Sequence, residues 1–335
     1  MSYIEEKRKK EKSRRKRGFI LLALFVFLVV VLSVFSAFVP MESWKYYVSL
    51  PKVESRGEGE LRIHFLDVGQ ADATLVELPD GKTLLVDGGD VDGAEKVLRY
   101  LNALKIDKID YILLTHTDTD HCGSLADVVK YKEIGEVIYP YNAAAATTNE
   151  AFNAFARELA GRNIETKIAS RYDGFSSSVE EYDYQFTILF PYSAGSGGNS
   201  DFSGNALSTV ALLEYKGVTT MLCGDTNARV LGRLCDEAEM GVFAEYEIDL
   251  TSVEILKYPH HGAKTGANKW ILSYLNVETS VISCGKNNYY GHPTSEALTA
   301  LTECLVATYR TDLHGTITVT IGGDGVYETN YGEKE

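Results

Sequence analysis

Hydrophobic positions along this chain change their period in a regular order. Phe19 to Val39 is one uncharged apolar run. After a polar stretch at 41–60, "LRIHFLDVGQADATLVELPDGKTLLVDGG" holds three short apolar runs separated by "DVGQAD" and "PDGK". That pattern predicts a strand meander turning at Pro79 to Gly81. Val97, Leu98, Leu101 and Leu104 have helical spacing, and "DYILLTH" is a strand leading into an acidic loop. Leu125, Val128 and Val129 predict the next helix and "EVIYP" a strand. Phe152, Phe155 and Leu159 predict a helix stopped by Gly161. Between Ser170 and Asn205 one strand is clear, "YQFTILFP", ahead of the Gly/Ser-rich loop "SAGSGGNSDFSGN". Strand signals resume in "LSTVALLEYKGVTTMLCGD". Leu231, Leu234 and Ala238 mark a helix, followed by the strand "SVEILKYPHHG", a helix near 267–275 and the strand "TSVISCG". A Thr294-started helix with Leu298, Leu301 and Leu305 precedes strands around "VATYR" and "GTITVTI". Strand clusters alternate with helices in the same order in both halves. The expected class is α/β, a layered sandwich of two mixed sheets with helices outside.

The 21-residue segment is long enough to cross the ~30 Å hydrocarbon layer as a helix, and Pro40 ends it. Nine Lys or Arg against three Glu fill residues 1–17. The positive-inside rule keeps such a tail cytoplasmic and sends the rest of the chain across. A signal anchor is the leading expectation. A long cleaved signal, with a weak site at Val34-Phe35-Ser36, and an interior helix are the alternatives. The resulting organisation is a basic tail at 1–17, a transmembrane anchor at 18–40 that meets the membrane through residues 19–39, a linker at 41–60, and one extracytoplasmic domain at 61–325.

Charge narrows the partners. The whole chain of 335 residues carries −14, and without the tail's +6 the remainder carries −20, which disfavours indiscriminate binding of phosphate backbones. Five cysteines (Cys122, Cys223, Cys235, Cys284, Cys304) are odd in number and lack paired spacing, so they are neither a disulfide framework nor a cysteine zinc site. Protein partners leave no signature in the sequence.

The candidate chemistry lies at strand ends. "LLTHTDTDHCGSL" supplies His116, Asp118, Asp120 and His121 within six positions. Buried unpaired charge is costly, so such a cluster needs either solvent or a cation. Asp87 follows "TLLV", Asp225 follows "TTMLC", His260 and His261 follow "VEILKYP", and His292 comes after "TSVISCG". Five of the seven histidines fall at such ends, the arrangement in which several loops converge on one site.

These segments, with "LFP", "NALSTVALLEYKGVTTMLCGD", "LKYPHHGAKTGAN" and "NNYYGHPTSEAL", resemble the metallo-β-lactamase fold, in the branch similar to the extracellular hydrolase domain of the DNA-uptake protein ComEC. The match runs in order from about residue 61 to 321. The resemblance implies an αββα four-layer sandwich with two divalent metal ions, zinc or manganese, at one edge. It implies His116 and Asp118 on one metal, Asp120 and His121 on the second, Asp225 bridging, and His292 completing the second site. Asp118 stands where the broad family has histidine. A further family histidine is missing, because no histidine occurs from 122 to 259, where Asn205 occupies the corresponding region. The expected catalytic residues are Asp120, His260 and His261. Two cations acidify a shared water, and His260 or His261 protonates the leaving oxygen, but spacing leaves each free to be a ligand instead. Asp67, Gln70 and Asp72 are similar to the family's opening turn. Asp87 is expected to brace the metal loop rather than to ligate. Lys264 has two readings, a contact for substrate anions or a solvated lysine, and His64 and His314 read as structural.

The resemblance implies a metal-dependent hydrolase, with a phosphodiester first among substrates because the similar domain is thought to degrade the non-transported DNA strand. With one candidate span the chain is not itself a channel, and β-lactam hydrolysis is disfavoured because the metal loop belongs to another branch. Two alternatives stay open. One is hydrolysis of another ester, a thioester or a lactone. The other is a degenerate, non-catalytic binding module.

Overall fold

The computed structural model describes residues 3–38, 40–143, 148–177, 179–193 and 198–331. The chain divides into two compact units, Met1–Ser49 and Leu50–Glu335. The first contains helix α1 (Tyr3–Phe38), which joins the basic tail and the apolar segment in one continuous helix. Its stretch Lys7–Ser36 is long and apolar enough to cross a membrane. Met41–Tyr47, inside the expected linker, forms a 3₁₀ turn.

In the second unit the strands are β1 (Leu61–Phe65), β2 (Thr74–Glu77), β3 (Thr83–Val86), β4 (Lys108–Leu113), β5 (Glu133–Tyr139), β6 (Glu165–Ile168), β7 (Gly174–Ser176), β8 (Tyr184–Phe190), β9 (Val210–Tyr215), β10 (Val218–Leu222), β11 (Ile255–Lys257), β12 (Thr279–Ile282), β13 (Ala307–Arg310), β14 (Ile317–Ile321) and β15 (Tyr327–Thr329). The helices are α2 (Ala94–Ala103), α3 (Thr119–Cys122), α4 (Leu125–Tyr131), α5 (Glu150–Arg162), α6 (Ala228–Glu239), α7 (Lys269–Tyr274), α8 (Ser295–Glu303) and α9 (Thr311–His314).

Two sheets form, in the orders β15-β14-β1-β2-β3-β4-β5-β6 and β13-β12-β11-β10-β9-β8-β7. Each begins antiparallel and turns parallel, from β3 through β6 in the first and from β10 through β13 in the second. Period-two alternation sends Leu61, Ile63 and Phe65 of β1 into the space between the sheets. There they join Val76, Leu84, Leu113, Phe186, Ile188, Leu213, Ile255 and Val281. A second core packs α6, α7 and α8 on the outer face of the second sheet through Leu231, Leu234, Ile271 and Leu301. α2, α4 and α5 bury Val97, Leu98, Leu101, Val128, Phe152 and Phe155. The four layers are therefore helix, sheet, sheet and helix, as the alternation of elements predicts.

Three details differ from the reading of the pattern. Gly161 lies inside α5, and the helix ends instead at Asn163, whose φ of 53° gives it a left-handed cap. β6 and β7, too short to show a period, are edge strands. β15 extends the first sheet beyond residue 325. Within the Gly/Ser-rich loop, Gly198–Asp201 and Gly204–Leu207 are 3₁₀ turns, while Ala194–Gly197 lie outside the described residues.

The parallel topology positions the site. Strands β3, β4, β10, β11 and β12 all run in parallel blocks, so the loops leaving their carboxyl ends open on one edge, where α/β sheets characteristically bind ligands.

Candidate metal centre

The loop after β4 sets four side chains close together. Thr115 and His116 leave the strand, Asp118 precedes α3, and that single turn folds back through His121 N–H and Cys122 N–H to the Asp118 carbonyl, 3.0 Å each. Asp87, after β3, holds this loop from below. Its carboxylate accepts from Thr115 N–H (2.8 Å), from Thr115 Oγ1 (2.7 Å) and from His121 Nδ1 (2.7 Å). Asp87 itself sits at φ 58°, a left-handed conformation costly for a residue with a Cβ, so the surrounding hydrogen bonds must stabilise it. The second sheet contributes Asp225 after β10 and His260 and His261 after β11. Gly224, at φ 49°, lets them approach: a Cβ there would lie 2.7 Å from Thr115 Oγ1. Thr209 N–H to Thr115 O, at 2.9 Å, ties the two loop systems together.

Asp225 is the hub. Its Oδ1 lies 3.2 Å from His121 Nε2, and its Oδ2 lies 3.5 Å from His260 Nε2, 3.7 Å from His261 Nε2 and 3.8 Å from His116 Nε2. His261 Nε2 is also 3.2 Å from Asp120 Oδ2, and His116 Nε2 is 3.7 Å from Asp118 Oδ2. Ligand atoms of Asp120, His121, Asp225 and His261 all lie within 4.8 Å of one another. His292 stands further out, its ring 5.7 Å from His260 and 6.4 Å from His261. Asn205 donates from Nδ2 to Asp225 Oδ2 at 3.3 Å. Of the residues singled out from the sequence, seven therefore gather around Asp225, counting Asp225 itself (His116, Asp118, Asp120, His121, Asp225, His260, His261), and His292 lines the next layer.

The donor set fits divalent cations. His116 Nε2, His121 Nε2 and Asp225 Oδ1 are buried without a hydrogen-bond partner, a costly arrangement unless another species completes it. The tautomers agree. His121 gives its Nδ1 proton to Asp87 and His261 gives its own to Ser283 O at 3.0 Å, so both Nε2 atoms point into the cluster, where a cation would take their lone pairs. Thr115 Oγ1, spent as a donor on Asp87, accepts from His116 Nδ1 at 3.2 Å and frees the third Nε2. A second tight group, Asp72, Asp87 and His121, is otherwise engaged: Lys257 Nζ pairs with Asp72, and Asp87 braces the loop.

Electrostatics agree with this reading. Burial opposes the charge on Asp225, but His121 and His261 hold its carboxyl well below the usual range. Burial likewise opposes charge on His121, and Asp225 and Asp87 outweigh it, raising His121 well above an ordinary imidazole. His116 is pushed down to about 3, by burial first and then by His121. Without a cation His121 and His261 keep protons that balance the buried carboxylates, and a cation would displace them.

Lys257 belongs to no motif in the sequence. It is fully buried on β11, paired with Asp72, whose N–H in turn donates to Asp120 O at 3.0 Å. The available signal was a lysine at the end of an otherwise apolar run, "VEILK". His64 and His314 bond elsewhere, to Glu77 and Thr318 and to the Arg310 backbone. Asp67 is on the surface with Lys96, and Gln70 accepts from Gly285 N–H at 2.9 Å.

Comparison with known proteins gives one family. The metallo-beta-lactamase superfamily profile matches residues 66–286. ComE operon protein 3 of Bacillus subtilis (strain 168) is 28% identical over 284 residues, covering 80% of this chain and 33% of that protein. Recombination protein 2 of Haemophilus influenzae is 26% identical, covering 77% of this chain and 28% of that protein. Competence protein ComA of Neisseria gonorrhoeae is 26% identical, covering 82% of this chain and 34% of that protein. The chain thus spans about a third of the length of these curated relatives. Among solved structures, Zn(2+)-bound PqqB from Methylobacterium extorquens superposes with a TM-score of 0.43 at 10% identity, covering 79% of this chain and 99% of that one.

Proposed function

We propose that this chain, which belongs to the metallo-beta-lactamase superfamily, is a membrane-tethered, metal-dependent phosphodiesterase or nuclease whose catalytic domain lies outside the cytoplasm. The observation that carries this reading is the convergence of four imidazoles on Asp225, with Asp118 and Asp120 beside His116 and His261, and with His116 Nε2, His121 Nε2 and Asp225 Oδ1 buried without hydrogen-bond partners. The names of the relatives, which refer to competence and recombination, support DNA or another phosphodiester as substrate.

In this reading Asp120, His121, Asp225 and His261 would hold one ion, and His116, Asp118 and Asp225 would hold the other. The mixed nitrogen and oxygen set suits zinc or manganese. When bound, such ions supply Lewis acidity toward a phosphoryl oxygen and acidify water. Asp87 fixes the proton on the Nδ1 side of His121 directly, and does the same for His116 through Thr115. Asn205 steadies Asp225 by donating to it. In this reading His260, the more accessible of the histidine pair, gives a proton to the leaving oxygen. The same reading gives His261 the ligand role that the resemblance implies for His292, supported by its grouping with Asp120, His121 and Asp225.

The acidic balance of the chain favours a second reading, in which the same site hydrolyses a small ester, thioester or lactone. One panel separates these readings: single-stranded DNA, double-stranded DNA, bis-p-nitrophenyl phosphate and a lactone, assayed with zinc or manganese and with Asp225→Ala as control. Hydrolysis of the diesters, abolished in the variant, is the expected result. Turnover of the lactone alone would replace the phosphodiester reading, and no turnover or metal uptake would leave a binding module.

A further inference from the structure

The loop from β12 to α8 carries two tyrosines that the fold leaves in solvent. Tyr289 is 100% exposed and Tyr290 is 70% exposed. Their backbone is nevertheless held: Asn288 donates to Gly285 O at 2.9 Å and to His292 O, and accepts from His292 N–H at 3.0 Å. This clamp closes the loop at its base and leaves both rings at its apex. Tyr290 lies nearly parallel to His292, with centroids 5.8 Å apart and planes at 22°. His292 meets His260 edge-on at 5.7 Å, and His260 Nε2 is 3.5 Å from Asp225 Oδ2. A continuous row of rings therefore leads from solvent to the hub of the metal centre. Lys286 on the same loop and Lys264 just after His261 are exposed, adding local positive charge to a chain of net −14.

The geometry points to Tyr289 and Tyr290 as an aromatic lip that stacks on an unpaired planar ring of the substrate and seats the adjoining diester at the metal centre. This inference rests on the phosphodiester reading above. Stacking requires an uncovered π face, which a base inside a duplex does not offer, so the lip selects single strands and terminal nucleotides. The selectivity is a difference between affinities, with Lys264 and Lys286 contributing to both kinds of strand.

The test uses the full chain in detergent with manganese, and two diesters that share a leaving group: thymidine 5′-(4-nitrophenyl phosphate) and methyl 4-nitrophenyl phosphate. Replacing both tyrosines by alanine is expected to lower kcat/KM about tenfold for the nucleoside ester and leave the methyl ester unchanged, while Tyr289→Phe with Tyr290→Phe retains both. Equal loss on both esters, or loss on neither, overturns the lip. A second arm measures anisotropy of a fluorescein-labelled oligothymidylate and of a matched duplex with chelator present, so that hydrolysis plays no part. Weaker single-strand binding by the alanine variant supports the lip, and unchanged binding overturns it. A wild-type chain that hydrolyses neither ester defeats the phosphodiester reading, and the anisotropy arm still decides the lip.

Discussion

Asp87 Oδ2 accepts the Nδ1 proton of His121 at 2.7 Å while also accepting from Thr115 Oγ1, so one buried carboxylate sets the tautomers of two imidazoles that face Asp225. Removing this partner changes which nitrogen offers its lone pair. Asp87→Ala is expected to weaken metal binding about 10- to 100-fold, read by competition with a chromophoric chelator. Asp87→Asn should behave similarly, because an amide cannot accept all three donors. Unchanged affinity in a folded variant would remove Asp87 from the metal centre's support.

The difference between His261 and His292 is equally testable. His261 Nε2 is 3.2 Å from Asp120 Oδ2, whereas His292 packs ring against ring with His260 and Tyr290. His261→Ala is expected to lower the metal content per chain, by elemental analysis of dialysed protein, and His292→Ala to preserve it. The reverse result would restore the ligand role to His292.

Lys257 and Asp72 form a buried pair beneath the cluster. Lys257→Met or Asp72→Asn alone leaves a buried group without its partner and should cost about 3–5 kcal/mol in denaturant unfolding. The double variant should cost clearly less than the sum of the two, since it leaves no orphaned charge. Additive losses would mean that the pair contributes little as a pair.

Metal loading should release protons. Burial alone would lower His121 and His261, but Asp225 and its neighbours raise both above the ordinary imidazole value, so the apo cluster holds those protons near neutral pH. A cation must displace them, and its affinity should therefore fall as pH drops and level off once pH exceeds the raised values. Calorimetric titration in buffers of different ionisation enthalpy measures the release. A binding constant independent of pH would contradict this coupling.

Met1–Ser49, which includes α1, and the domain from Leu50 onward are separate compact units. A chain lacking residues 1–40 is expected to move from the membrane to the soluble fraction while keeping its metal and its unfolding midpoint. Retention in washed membranes would show that the domain has a second attachment.

What the sequence determined by itself is local. Periodicity located most strands and helices. The crowding of His116, Asp118, Asp120 and His121 after a buried strand marked the centre, and the uncharged run after a basic tail marked the candidate span. These features depend on neighbours a few residues apart, which a linear pattern records directly. The short edge strands β6 and β7 escaped because three or four residues cannot display a period.

Tertiary structure alone decided which side chains reach Asp225. His260 and His261 both adopt left-handed backbone, with φ 52° and 54°, and Gly262 follows at φ 86° with Pro293 so close that an added Cβ would lie 2.4 Å from it. That turn rotates His261 inward and holds the His292 loop one layer away. Two adjacent histidines look equivalent as letters, but their directions are set by packing against a segment 30 residues later. The Lys257–Asp72 pair and the threefold use of Asp87 arise in the same way, from contacts between distant strands whose energies no local pattern encodes.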